Sequence, residues 1–85
     1  MKVEYTKHVQ KQLKKLDNSI KKKILVFLEN LETLSDPRSV GKPLVGNFRG
    51  FWRYRVGDYR LICKIEDKKL IIVIVEINHR KNIYN

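Results

Sequence analysis

The sequence has few residues of the kinds that build disulfides, metal centres or membrane spans. It contains one cysteine, Cys63, and two histidines, His8 and His79. One cysteine excludes an internal disulfide, and the spacing of these three residues resembles no metal site. The longest apolar run, Leu70 to Val75, is far shorter than the roughly 20 residues that a membrane-spanning helix needs. With no signal peptide either, we expect a cytoplasmic protein without a membrane partner, a metal or another cofactor.

Acidic residues are scarce as well. The chain has 9 Asp and Glu against 19 Lys and Arg, which gives a net charge of +10. Positive charge at this density destabilises the compact state by self-repulsion, so it favours an anionic partner, with nucleic acid ahead of an acidic protein or a membrane surface. The 42% of hydrophobic residues is typical of a globular chain, and 85 residues suffice for one domain, which we assign to residues 1–85.

The N-terminal half has the pattern of a short strand followed by two helices. The strand runs from Met1 to Tyr5. Thr6 can cap the first helix through its hydroxyl, and a second helix is expected from about Ser19 to Leu34, before Pro37 prevents its continuation. Apolar residues recur at helical spacing in both: Val9, Leu13 and Leu16, then Ile20, Ile24, Phe27, Leu28, Leu31 and Leu34. These stripes predict an antiparallel helical hairpin packed on a flat layer.

Beyond Pro43 the pattern changes to the period of two that strands have. In the segment Gly50 to Arg60, apolar and cationic side chains alternate, with Trp52, Tyr54 and Val56 on one face and Arg53 and Arg55 on the other. The dipeptide Gly57-Asp58 predicts a two-residue type II′ turn. Arg55 would then lie directly opposite Arg60. Like charges at such a position repel each other, so the arrangement indicates that something anionic binds there.

Two further strands complete the predicted sheet, Tyr59 to Glu66 and the β-branched run Leu70 to Ile77. The length of the turn between them sets which residues face the core. We expect a three-residue loop, Asp67 to Lys69, with Glu76 facing outward. The inward residues of the last strand would then be Ile71, Val73, Val75 and Ile77. Together the elements predict an α+β domain in which two N-terminal helices pack on a twisted antiparallel sheet of three to four strands.

The arginines are the strongest candidates for chemistry. Arg53, Arg55 and Arg60 share one face of the hairpin, and Arg80 and Tyr84 arrive from the C-terminal segment. Guanidinium groups bind phosphate oxygens in a bidentate manner and stay charged at physiological pH. Such a cluster without a carboxylate fits metal-free cleavage of RNA, in which the 2′-OH of the substrate is the nucleophile. The alternative interpretation is a generally basic surface. Cys63 is expected to be a buried apolar residue, and His8 a solvated surface residue.

Two strings resemble the RelE/ParE superfamily of bacterial toxins from type II toxin-antitoxin modules, and in particular its RelE-like branch. They are WRYRVGDYR at residues 52 to 60 and HRKNIY at residues 79 to 84. The resemblance implies two N-terminal helices against a twisted antiparallel sheet. It also implies a ribosome-dependent endoribonuclease, an mRNA interferase, that cuts mRNA in the ribosomal A site and leaves a cyclic phosphate. A cognate antitoxin would wrap around the toxin and neutralise it.

The same resemblance implies a role for each residue of the site. Arg60 matches the arginine that contacts the scissile phosphate, and Arg80 matches a second phosphate-stabilising arginine. Tyr84 matches the tyrosine that activates the 2′-OH and stacks on the substrate. A guanidinium is a poor proton donor, so the general acid would be His79 or a ribosomal group. Arg53 and Arg55 also belong to the expected catalytic group, although the best-known RelE branch has lysines at their positions. The expected RNA contacts are Arg53, Arg55, His79 and Lys81.

Three functions remain open at this point. They are an RNA-cleaving toxin, a ParE-like inhibitor of DNA gyrase, and a non-catalytic module that binds RNA. Fold alone does not separate them. The excess of positive charge predicts an antitoxin with an acidic segment. That antitoxin is expected to cover the apolar outer positions Ile62, Ile72 and Ile74.

Overall fold

The structure is a computed structural model, and it describes residues 1–79. Within these described residues, two helices and five strands follow one another: β1 (Lys2–Tyr5), α1 (Lys7–Lys15), α2 (Asn18–Thr33), β2 (Lys42–Pro43), β3 (Trp52–Val56), β4 (Tyr59–Glu66) and β5 (Ile71–His79). Short 3-10 turns interrupt the connections at Pro37–Val40, Gly46–Phe48 and Asp67–Lys69. None of the helices in the described part of the chain is long and apolar enough to cross a membrane.

In the part of the chain that the structure describes, the sheet is mixed and has five strands, in the order β1-β5-β4-β3-β2. The predicted α+β class is therefore correct. The predicted sheet was wrong in two respects, since we expected three to four strands and antiparallel pairing throughout. β1 pairs with β5 in parallel, and the remaining pairs are antiparallel. The two differences have separate causes. The strand that the sequence did not predict is β2, whose two residues are too few for a periodic pattern. The direction of β1 is set by its pairing with β5, at the far end of the chain, which no local pattern shows.

The helices begin where the capping residues predict. The Thr6 hydroxyl accepts a hydrogen bond from the Val9 amide at 3.2 Å, and α1 follows. The Asp17 carboxylate accepts one from the Ser19 amide at 3.3 Å at the start of α2. The hydrogen bonds from Ser19 hold the pKa of Asp17 below its usual value. Each cap satisfies an amide that has no partner within its helix, so the helix ends agree with the prediction to within about one residue.

The core lies between the helical hairpin and one face of the sheet. Both layers contribute side chains with at most 2% exposure: Val9, Ile24, Leu28 and Leu31 from the helices, and Tyr54, Leu61, Cys63, Ile72 and Ile74 from the strands. Burial of one such aliphatic side chain contributes about 1.5–3 kcal/mol. The Tyr54 hydroxyl donates a hydrogen bond to the Pro37 carbonyl at 2.7 Å, which satisfies the polar atom of a ring that is otherwise in the core.

The connection between β4 and β5 has four residues, 67–70, and not the three that we predicted. Glu66 therefore pairs with Ile71. This slip reverses the faces of the first half of β5, because successive side chains of a strand alternate. The inward residues are Ile72 and Ile74, whereas Ile71 and Val73 are not part of the buried core. The expectation that Ile72 and Ile74 lie on an outer surface for an antitoxin was therefore wrong.

A β-bulge at Val75 restores the predicted faces in the second half of β5. Successive ladder pairs join Ile74 and Glu76, which are two residues apart, to adjacent residues of β4. Val75 is the additional residue between them, and it borders a pocket on the outer face instead of the core. Beyond the bulge Ile77 is buried and Glu76 borders the outer face, as predicted. A bulge shifts the alternation by one residue, so it cancels the slip at the turn.

Candidate nucleic-acid interface

Three arginines lie on the face of the sheet that is turned away from the helices. The β3–β4 hairpin puts them there. Gly57, with φ +58°, begins its two-residue turn, and Arg55 pairs directly with Arg60 as the sequence predicted. Arg53 pairs with Ile62, two residues further along β4. Because residues that pair across a ladder share a face, the three guanidinium groups extend from one side of one hairpin.

The charges of these arginines influence one another. Desolvation lowers the pKa of Arg60, and the positive charges of Arg53 and Arg55 lower it further. The guanidinium nevertheless stays charged at physiological pH. The Arg55 Nε donates a hydrogen bond to the Gly57 carbonyl at 3.3 Å, which joins this side chain to the turn. The cluster is thus a set of like charges that act on one another, and a bound anion would relieve their repulsion.

A pocket of about 320 Å³ adjoins the arginines on the same face. Its apolar lining comes from the connection before β3 and from the outer face of β4 and β5: Leu44, Phe48, Phe51, Ile62 and Val75. Its polar lining consists of Arg53, Arg60, Glu76 and Asn78. An apolar cavity bordered by a few polar groups is the usual form of a small-molecule site. The arginine cluster therefore borders a concave surface.

One carboxylate lines this pocket, although we expected none in the group. The Glu76 Oε1 accepts a hydrogen bond from the Gln12 Nε2, and its Oε2 lies 2.9 Å from the His8 Nε2. Both partners come from α1. His8 is exposed, as predicted, but its contact with Glu76 was not. No group of three His, Cys, Asp or Glu side chains that could hold a metal ion occurs within residues 1–79.

His79 lies on the other face of the sheet from Arg60. It pairs with Tyr59, whose neighbours on that face belong to the core, and the two rings meet edge to face with centroids 5.0 Å apart. The residue of β5 opposite Arg60 is Asn78. The structure thus does not bring His79 together with the arginines. Its role as an RNA contact or general acid stays a prediction.

Three further residues of the predicted site lie outside the described residues. They are Arg80, Lys81 and Tyr84. Their expected positions beside the arginine cluster stay predictions.

Sequence reasoning missed several residues that border the arginines. Asn78 is opposite Arg60, and Phe48 and Phe51 line the pocket. Two aromatic residues close to the cationic hairpin in the sequence were a signal for the pocket. Asn78 gave no such signal, because its face depends on the bulge at Val75.

Cys63 takes no part in this surface. Its thiol is fully buried on the core face of β4, and burial raises its pKa to about 12. The Sγ donates a weak hydrogen bond to the Trp52 carbonyl at 3.4 Å. The interpretation of Cys63 as a buried apolar residue is confirmed.

Comparison with known families agrees with the fold. The family model described as the ParE toxin of type II toxin-antitoxin systems, parDE, matches residues 3–84. The chain belongs to the RelE/ParE superfamily of toxins. It is 33% identical over 82 residues to Toxin RelG of Mycobacterium tuberculosis, covering 96% of this chain and 93% of the relative. It is 34% identical over 88 residues to Toxin RelE3 of Methanocaldococcus jannaschii, covering 100% of this chain and 97% of the relative.

A solved structure of this superfamily superposes closely. The crystal structure of the toxin-antitoxin complex RelBE2 from Mycobacterium tuberculosis contains a chain that matches with a TM-score of 0.83 and 32% identity, covering 93% of this chain and 96% of that one. The protein is therefore a type II toxin of the RelE family, and the resemblance in its sequence is confirmed at that level.

Proposed function

We propose that this RelE-family toxin is a metal-independent endoribonuclease that cleaves mRNA in the ribosomal A site. The observation that carries the proposal is the group of three arginines, Arg53, Arg55 and Arg60, on one face of the β3–β4 hairpin beside a concave surface. Several fixed guanidiniums around one position bind a phosphate and stabilise the negative charge that develops on it. Repulsion between Arg55 and Arg60 costs stability, so a structural role gives no reason for the pair.

The proposed reaction needs no nucleophile from the protein. The 2′-oxygen of the substrate attacks the adjacent phosphorus, and the bond from phosphorus to the 5′-oxygen breaks. The products are a 2′,3′-cyclic phosphate and a free 5′-hydroxyl. Arg60 contacts the scissile phosphate, and Arg53 and Arg55 neutralise the charge that grows on its oxygens. Arg80 adds a further guanidinium, and Tyr84 takes the proton of the 2′-OH, because neighbouring cations favour its phenolate form.

The leaving 5′-oxygen requires a proton from another source. A guanidinium is a poor donor, and the Glu76 carboxylate is bound by two side chains of α1. The side chain of His79 lies on the other face of the sheet from that of Arg60. We therefore assign the general acid to a group of the ribosome, which also explains why cleavage would depend on ribosomes.

A cognate antitoxin is the second proposed partner. The similar chain of Mycobacterium tuberculosis belongs to a toxin-antitoxin complex. The net charge of +10 favours an antitoxin with an acidic segment, since opposite charge speeds encounter and offsets the self-repulsion of the toxin. Cleavage on the ribosome would take place in the cytoplasm, so we expect the protein there.

Inhibition of DNA gyrase is a second candidate function. The family model that matches the chain describes the ParE toxin, which is the observation in its favour. A gyrase inhibitor has no need of a phosphate-cleaving group, so it leaves the arginine cluster unexplained. A supercoiling assay with purified gyrase separates the two candidates.

Primer extension on a defined mRNA tests the proposal. The purified protein is incubated with the mRNA, with and without translating ribosomes. We expect cuts at codon-spaced positions only with ribosomes, and a loss of roughly 100-fold or more for Arg60→Ala, since one electrostatic group is worth about that much. Arg49→Ala is the matched control, because Arg49 is exposed and does not line the pocket. Tyr84→Phe tests the proposed base.

Three results would contradict the proposal. They are an absence of cleavage in both conditions, cleavage in the absence of ribosomes, and full activity of Arg60→Ala. Inhibition of supercoiling by a protein that does not cut mRNA would instead support the gyrase candidate.

A further inference from the structure

The pocket next to the arginines has features that phosphate binding does not require. A phosphate needs charge and hydrogen-bond donors, yet most of the lining is apolar and includes the rings of Phe48 and Phe51. The pocket also extends to Asn78 on β5, directly opposite Arg60. The same surface therefore combines cationic groups, aromatic rings and one amide.

We propose that this pocket binds one adenine base of the RNA, whose phosphate lies on Arg53 and Arg60. The inference rests on the proposed function and adds to it a base preference for the toxin. The two arginines line the pocket themselves, so a nucleotide can place its base inside while its phosphate meets their guanidiniums.

The size and the lining of the pocket suit a single base. Its volume of about 320 Å³ lies at the lower end of the range for small-molecule sites, about 300–1,000 Å³. Bases that leave their stack in single-stranded RNA pack on aromatic side chains. Phe48 and Phe51 provide such surfaces, and Ile62 and Val75 provide the apolar floor on the sheet.

Positive charge at the pocket distinguishes a nucleotide from a purely apolar occupant. A hydrophobic peptide segment would bury Arg53 and Arg60 without a counter-charge, which is costly. A nucleotide brings its own anion. The one carboxylate of the lining, Glu76, is hydrogen-bonded to His8 and Gln12 of α1, so its charge is partly compensated.

Asn78 is the residue that would select the base. Only 8% of it is exposed, and it borders the pocket next to Arg60. A side-chain amide offers one donor and one acceptor side by side, which matches the N7 acceptor and the N6 amino group of adenine. Guanine presents two acceptors at the same edge, N7 and O6, so the amide oxygen of Asn78 would face another acceptor and form no hydrogen bond. The two purines have nearly the same size, so their comparison isolates the contribution of the amide.

Nucleotide titration of the purified protein, followed by NMR of the ring resonances, tests the inference without ribosomes. The probes are AMP, GMP and ribose 5-phosphate. We expect AMP to shift the resonances of Phe48 and Phe51, GMP to bind at least about fivefold more weakly, and ribose 5-phosphate to shift only the arginine resonances. Asn78→Leu keeps nearly the same shape but removes both the donor and the acceptor, so the AMP preference should disappear. Val45→Ala is the control, because Val45 is 75% exposed in the same connection and does not line the pocket.

The outcomes separate this inference from the proposed function. Equal shifts by AMP and ribose 5-phosphate, or no shifts of the rings, would overturn the base pocket even if the protein cuts mRNA. Ring shifts produced only by the cognate antitoxin would assign the pocket to that protein and also overturn it. AMP-specific shifts in a protein that fails to cut mRNA would uphold the pocket and remove the proposed function. In an active toxin, Asn78→Ala must change the codons that are cut, whereas an unchanged cleavage pattern contradicts the inference.

Discussion

The Gln12 side chain binds the backbone of Ile77 as a neighbouring strand would. Its Oε1 accepts a hydrogen bond from the Ile77 amide at 2.8 Å, and its Nε2 donates one to the Ile77 carbonyl at 3.0 Å. The pairing of β1 with β5 ends at Tyr5 and Ile74, so this contact continues the edge of the sheet beyond the last residue of β1. One amide from α1 thereby satisfies both polar groups of a backbone unit that β1 does not reach.

Replacement of Gln12 should loosen the second half of β5. We expect Gln12→Ala to lower the free energy of unfolding by about 1–3 kcal/mol, because two backbone groups of a buried residue lose their partners. Hydrogen exchange at the Ile77 amide should accelerate, and cleavage should fall because Asn78 and the end of β5 lose their support. Gln10→Ala is the matched control, since Gln10 is exposed on the same helix. Equal exchange rates at Ile77 in the two variants would contradict this role.

The pair of arginines on the hairpin predicts a conflict between stability and activity. Arg55 and Arg60 are directly opposite each other, and like charges at such positions destabilise a sheet. We therefore expect Arg55→Gln to unfold at a higher urea concentration than the parent while cleaving mRNA more slowly. The gain should shrink at high salt, which screens the repulsion. Arg49→Gln, which removes an exposed arginine elsewhere, should change neither quantity, and a loss of stability in Arg55→Gln would refute the argument.

Local patterns predicted the hairpin and the helices because each of these elements is determined by neighbours in the chain. The alternation from Trp52 to Val56 and the turn at Gly57 predicted that Arg55 lies opposite Arg60, which is observed. Thr6 predicted the start of α1 in the same way. The strongest part of the candidate site therefore follows from a few consecutive residues.

The rest of the site depends on contacts between distant parts of the chain. The face of Asn78 is set by the number of residues in the turn before β5 and by the bulge at Val75. An apolar run such as that of β5 has no alternation, so the sequence does not show which side chains point inward. The pocket also needs the connection before β3 to lie next to β5, and no local pattern predicts that. Two errors in register cancelled at Ile77, which is why its inward direction was predicted correctly.

Leu70 explains why the turn was predicted one residue too short. It has a φ of +57° in the left-handed region, where a residue with a side chain is uncommon, and it is 64% exposed. We expect Leu70→Gly to stabilise the protein by about 1 kcal/mol, because the left-handed conformation costs a leucine about that much. Lys69→Gly is the control in the same turn, with a backbone that already suits an ordinary residue, and it should lower stability. Urea unfolding of both variants measures the difference, and a destabilised Leu70→Gly would contradict the expectation.

Gly41 connects the packing of β3 to the position of an arginine in the site. A methyl group at this residue would collide with the indole ring of Trp52 and would lie 2.8 Å from the Arg53 carbonyl oxygen. We expect Gly41→Ala to cost about 1–3 kcal/mol, as overpacking does, and to reduce cleavage because the backbone that carries Arg53 must move. The chain has one tryptophan, so its fluorescence emission reports the displacement directly. Gly46→Ala is the control: its φ of +68° brings strain, but its added methyl meets nothing within 4 Å, so stability should fall while the Trp52 emission stays unchanged. If Gly41→Ala left the emission and the cleavage rate at their parental values, Trp52 would have to move aside freely, and Gly41 would not support the position of Arg53.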